Sequence, residues 1–108
     1  MTDTRSEIQN LITGNDILIY MRGTPAAPRC GFSATVVEIM KRLNVPYHAV
    51  NADERQDHWA ELAEMNEWPT MPQIYIKGEF MGGCDILKEM FLSGELQQVL
   101  ADKGIAAA

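Results

Sequence analysis

Apolar residues recur along this chain in two rhythms, one with helical spacing and one in runs of strand length, and the two alternate. Ile8, Leu11 and Ile12 repeat at three- and four-residue steps, which predicts an amphipathic helix over Ser6–Ile12 ended by Gly14-Asn15. Ile17-Leu18-Ile19-Tyr20-Met21 is continuously apolar and reads as a strand buried on both faces. Arg22 to Arg29, broken by Gly23, Pro25 and Pro28, reads as a loop. The stripe Val36, Ile39, Met40, Leu43 predicts a helix over Phe32–Leu43. Tyr47–Val50 follows as a strand, and Arg55–Asn66 as a polar helix anchored by Trp59, Leu62, Ala63 and Met65. Trp68-Pro69-Thr70-Met71-Pro72 breaks that helix. Gln73–Lys77, a turn at Gly78-Glu79 and Phe80-Met81 read as a hairpin. Gly82-Gly83 leads into helices over Asp85–Leu92 and Glu95–Ala101, parted by Ser93-Gly94, and Ile105–Ala108 reads as a frayed tail.

The predicted order is α-β-α-β-α-β-β-α-α. Its β-α-β unit demands parallel strands with a right-handed crossover, and its hairpin demands antiparallel ones. The expected architecture is α/β, a four-stranded mixed sheet flanked by helices on both faces, which is the order of a thioredoxin-like fold. At 108 residues the chain has room for one domain, expected over 1–108 with a core at about 8–101 and flexible termini.

Composition narrows the function. Nine basic residues against fifteen acidic give a net charge of −6, so nucleic acid, bound through Lys and Arg at phosphates, is not an expected partner. The apolar runs fall short of the ~20 residues of a membrane span, and no signal-like N-terminus is present, so a cytoplasmic protein without membrane contact is expected. Cys30 and Cys84 are the two cysteines, too few for a disulfide scaffold or a cysteine-built zinc site. If the chain handles a metal, ligands must come from elsewhere than these cysteines.

Cys30 falls after a proline-punctuated loop and just ahead of a helical stripe, where unpaired N–H groups favour an anion such as a thiolate. The alternative, a buried structural cysteine, suits a site flanked by Arg29 and Gly31 less well. A dithiol redox pair needs a second sulfur three positions on, and Ser33 stands there. Thiol chemistry must then end on a second molecule. Met71–Pro72 is either an ordinary trans turn or a cis bond that turns the Met71 backbone toward an extended ligand. Gly82-Gly83-Cys84-Asp85 is either a simple helix cap, with Asp85 capping, or a nest for a carboxylate, with Asp85 accepting from an ammonium. His48 and His58 lack metal-ligand spacing with the cysteines and are assigned surface or packing roles. The methionines read as core filler, and Glu61, Glu64 and Glu67 as a solvated face.

Four segments together, Arg22-Gly23-Thr24-Pro25, Pro28-Arg29-Cys30-Gly31-Phe32-Ser33, Trp68-Pro69-Thr70-Met71-Pro72-Gln73 and Gly82-Gly83-Cys84-Asp85-Ile86, resemble the monothiol glutaredoxins of the C-G-F-S type over about Ile8–Leu100. The resemblance implies that Cys30 is the active-site cysteine. It implies a glutathione site built from Arg22, Cys30, Thr70, Met71, Pro72, Gly83, Cys84 and Asp85, with the Met71 backbone on the cysteinyl part and Gly83, Cys84 and Asp85 on the γ-glutamyl end. It further implies a [2Fe–2S] cluster bridging a homodimer, with Cys30 of each chain and one glutathione per chain as the four thiolate ligands. The implied role is cluster assembly and trafficking and iron homeostasis, with iron–sulfur apoproteins as recipients and BolA-type proteins as partners in mixed complexes. The enzymatic alternative is weak glutathione-dependent disulfide reduction or deglutathionylation. A non-catalytic interaction domain on the same scaffold is the third reading.

Two positions depart from the family pattern. Arg22 replaces a customary lysine, and Trp59 falls where an arginine usually binds a glutathione carboxylate. Arg55, Gln56 and His58 are neighbouring candidates for that role, and Trp59 itself reads as core or rim packing. Cys84 is either a redox partner of Cys30 or a small residue contributing its backbone.

Overall fold

The computed structural model describes residues 3–105. Its centre is β1 (Ile17–Met21), all five residues of which are buried. Because strand side chains alternate, Ile17, Ile19 and Met21 enter one core and Leu18 and Tyr20 the other. β1 runs parallel to β4 (His48–Asn51) on one side and antiparallel to β5 (Gln73–Ile76) on the other. β6 (Glu79–Gly82) closes the sheet by pairing antiparallel with β5. The strand order is β4-β1-β5-β6, a four-stranded mixed sheet as the element order required.

Helices α2 (Gly31–Leu43), α4 (Cys84–Ser93) and α5 (Glu95–Asp102) cover one face, with Val36, Met40, Leu87 and Leu96 in the core. Helices α1 (Thr4–Gly14) and α3 (Gln56–Asn66) cover the other through Ile8, Ile12 and Leu62. No helix among the described residues is long and apolar enough to cross a membrane.

The differences from the sequence reading are local. The first helix begins at Thr4, because the Asp3 carboxylate caps it by accepting from the Ser6 N–H at 2.7 Å. The segment between β1 and α2 is not plain loop but a miniature hairpin, β2 (Gly23–Thr24) against β3 (Ala27–Pro28). Gly23 is required there: its φ is +82°, and a Cβ would stand 2.5 Å from the Ala27 carbonyl oxygen. The β5–β6 turn is centred on Lys77 and Gly78, both at positive φ. Ile105 is not frayed; it is buried, and its N–H donates to the Leu100 carbonyl at 2.9 Å. The rest of that tail lies outside the described residues.

His58 is fully buried despite its polar helix, and its Nδ1 lies 2.9 Å from the Tyr20 hydroxyl. Its Nε2 meets the Arg55 guanidinium, which also bonds the Glu7 carboxylate at 2.9 Å and Asp57 at 3.1 Å. This network fastens α1 to α3. The Arg55 hydrogen bond holds the Asp57 carboxyl down at about 2.

Candidate functional site

Cys30 is the N-cap of α2, with extended backbone (φ −150°, ψ 140°). Its carbonyl accepts the first helical bond from the Ala34 N–H, and its thiol makes no capping bond. The partly exposed sulfur therefore stands at a helix N-terminus with unspent N–H groups. Ser33, one turn in, is fully buried, and its hydroxyl accepts from the Arg22 N–H at 3.0 Å. The residue at the place of a resolving sulfur is thus a structural acceptor that ties α2 to the end of β1.

Beside Cys30 opens a groove of about 410 Å³. It is lined by Arg22, Cys30, Phe32, Trp59, Trp68, Thr70, Met71, Pro72, Gly83, Cys84, Asp85 and Ile86. Every site residue expected from the sequence lies on it. Phe32, Trp68 and Ile86 line it as well, though none was singled out as a site residue. Phe32 is 59% exposed and Ile86 41%, so the lip beside the thiol is apolar and open to solvent.

The groove lining also carries the Met71–Pro72 bond, which is cis. Pro72 immediately precedes β5 and does not open it, consistent with its lacking an N–H for the ladder. Gly83 forms the adjoining floor, where a Cβ would come within 3.2 Å of the Pro72 carbonyl oxygen and of the Trp68 ring. A larger residue would push on both walls. Gly83 is also the N-cap of α4, with no side-chain cap. Asp85 therefore does not cap the helix; it lies in the first turn, exposed at the groove, while the free N–H groups of that turn suit a carboxylate. Cys84 is buried at the same helix start, and burial, reinforced by the Asp85 charge, pushes its thiol above the usual range.

The cationic end of the groove is Arg22. Its Nε donates to the Asp53 carboxylate at 3.0 Å, and its guanidinium carbon lies 5.6 Å from the centroid of the Trp59 ring. Trp59 is in turn fixed by its indole N–H donating to the Pro69 carbonyl at 3.0 Å. Trp59 is thus rim packing beneath a cation. None of its three neighbours lines the groove: Arg55 and His58 belong to the α1–α3 network, and Gln56 bonds the carbonyls of Ala52 and Asp53. Asp53 went unremarked in the sequence. The signal that finds it is register: Met21 pairs with Asn51, so the segments leaving β1 and β4 emerge together and carry Arg22 and Asp53 with them.

Chemically, the groove offers a thiol, the Met71–Pro72 backbone in its lining, and groups that suit carboxylates in Arg22 and the first turn of α4. It defines a thioredoxin-like thiol protein with one sulfur at the helix start. The chain belongs to the glutaredoxin family, whose model matches residues 17–81. It is 48% identical to Glutaredoxin 4 of Pasteurella multocida over 93% of this chain and 92% of that protein. It is 47% identical to the chloroplastic monothiol glutaredoxin-S14 of Arabidopsis thaliana, over 87% of this chain and 54% of the longer plant protein. A monomeric truncated mutant of Trypanosoma brucei 1-C-Grx1 superposes with a TM-score of 0.87 at 33% identity, covering 99% of this chain and 96% of that one.

Proposed function

We propose that this chain is a monothiol glutaredoxin that carries a [2Fe–2S] cluster as cargo. Cys30 from each of two copies and the thiols of two glutathione molecules hold the cluster, which is passed on to apoproteins. The observation that carries this reading is the site around Cys30. Its sulfur is accessible, the position of a resolving thiol is filled by Ser33, and the sulfur lies at the mouth of a groove shaped for an extended, doubly charged thiol. A [2Fe–2S] cluster takes four thiolates, and one chain offers one accessible sulfur. The second sulfur, Cys84, is buried and held in its thiol form, so it is poorly suited to complete the set. The apolar lip of Phe32 and Ile86 supports a partner surface at the cluster.

Anaerobic reconstitution with iron, sulfide and glutathione is expected to give a dimer with visible absorption and two irons per pair of chains. Cys30→Ser is expected to abolish both the band and the dimer. Retention of the band in that variant overturns the reading. Deglutathionylation of a model peptide is expected to be slow; turnover typical of a dithiol enzyme favours the oxidoreductase reading instead.

A further inference from the structure

Arg22 is held at every point but one. Its N–H donates to the buried Ser33 hydroxyl, and its carbonyl accepts from the Arg29 N–H at 3.0 Å. Its Nε is bonded to Asp53 and its face lies toward Trp59. Asp53 is itself pinned. The Asn51 side-chain oxygen accepts from the Asp53 N–H and the Gly23 N–H, each at 3.0 Å, so one amide ties together the two segments that carry the pair. The second carboxylate oxygen of Asp53 is buried and has no partner among the described residues. An unpaired buried carboxylate oxygen is costly, and an apolar residue would avoid that cost. Among the described residues, the two terminal nitrogens of Arg22 have no acceptor.

We propose that Asp53 is a positioning residue that determines carboxylate specificity at this end of the groove. It holds the Nε edge of Arg22 while Trp59 fixes the plane, so that the free end of the guanidinium meets a ligand carboxylate with two parallel N–H bonds. Bidentate binding of this kind depends on the orientation of the planar fork as much as on its charge. The inference rests on the glutathione reading above.

The test compares two disulfides, oxidised glutathione and the disulfide of the glycyl ethyl ester of glutathione. Each exchanges with the protein: the Cys30 sulfur forms a bond to one ligand sulfur, the ligand S–S bond breaks, and the proton of Cys30 ends on the released thiol. Intact-mass measurement of the equilibrium gives the preference for acid over ester. Asp53→Ala is expected to lower that preference about three- to tenfold, and Asp53→Asn, which keeps an oxygen for Nε, to retain most of it. Simple charge attraction predicts the opposite, since both substitutions remove a negative charge and so strengthen anion binding alike. An unchanged or raised preference in Asp53→Ala, or an equal fall in Asp53→Asn, overturns the proposal. Should Asp53→Ala not fold, Trp59→Leu carries the test, and an unchanged preference there overturns it. A wild-type protein that forms no Cys30 adduct with either disulfide overturns the glutathione reading itself.

Discussion

The two sulfurs of this chain differ in their surroundings, one on a partly exposed residue and one on a buried residue. Both touch the same groove, but one belongs to a partly exposed N-cap residue and makes no capping bond, and the other is buried beside a carboxylate. Burial and the Asp85 charge each disfavour the Cys84 thiolate, so its reaction with iodoacetamide is expected to gain speed only above the ordinary thiol range of about 8.5. Peptide mass spectrometry across a pH series checks this, and a midpoint at or below the ordinary value contradicts it. At this scale the sequence announces residues by type and leaves their partners hidden. Cys30, Ser33 and the Met71–Pro72 bond stand out because their chemistry is unusual wherever they occur. Asp53 does not, because a carboxylate 31 positions from an arginine becomes its partner only once two strands have aligned. His58 is similar: a histidine on a polar helix is surface-like until Tyr20 and Arg55 enclose it.

Among the elements, those with long apolar patterns were legible within a residue or two, since β1 and the α2 stripe leave little choice of which face to bury. The β2–β3 hairpin was not, because two-residue strands have no periodicity to read. That hairpin nevertheless sets where Arg22 leaves the sheet. Gly23→Ala places a methyl against the Ala27 carbonyl and the Arg29 N–H in a backbone region that L-residues avoid. It is expected to cost about 2 kcal/mol, roughly 10 °C in Tm, by thermal denaturation. A Tm within a degree or two of wild type means that the hairpin yields freely and that the positioning of Arg22 does not depend on it.

The whole molecule carries two of its three tyrosines inside. Tyr20 is fully buried and Tyr75 nearly so, and burial pushes both hydroxyls above their usual value. Above pH ~10 the unfolded chain releases these protons while the folded one keeps them, so the folded state binds more protons and stability falls as pH rises. Urea midpoints are expected to hold steady up to pH ~10 and to drop beyond it. A flat profile through that range means that these hydroxyls ionise in place. A longer-range consequence follows from β1, which meets β4 on one edge and β5 on the other. The groove draws on four stretches, near residues 22–33, 53–59, 68–72 and 83–86, and β1 is bonded both to β4, which leads into 53–59, and to β5, which follows 68–72. These pairings are non-local, and such contacts slow folding because long loops must close. A chain that carried β1 and α2 without β5 would present the sulfur of Cys30 without the Met71–Pro72 segment that lines the groove beside it.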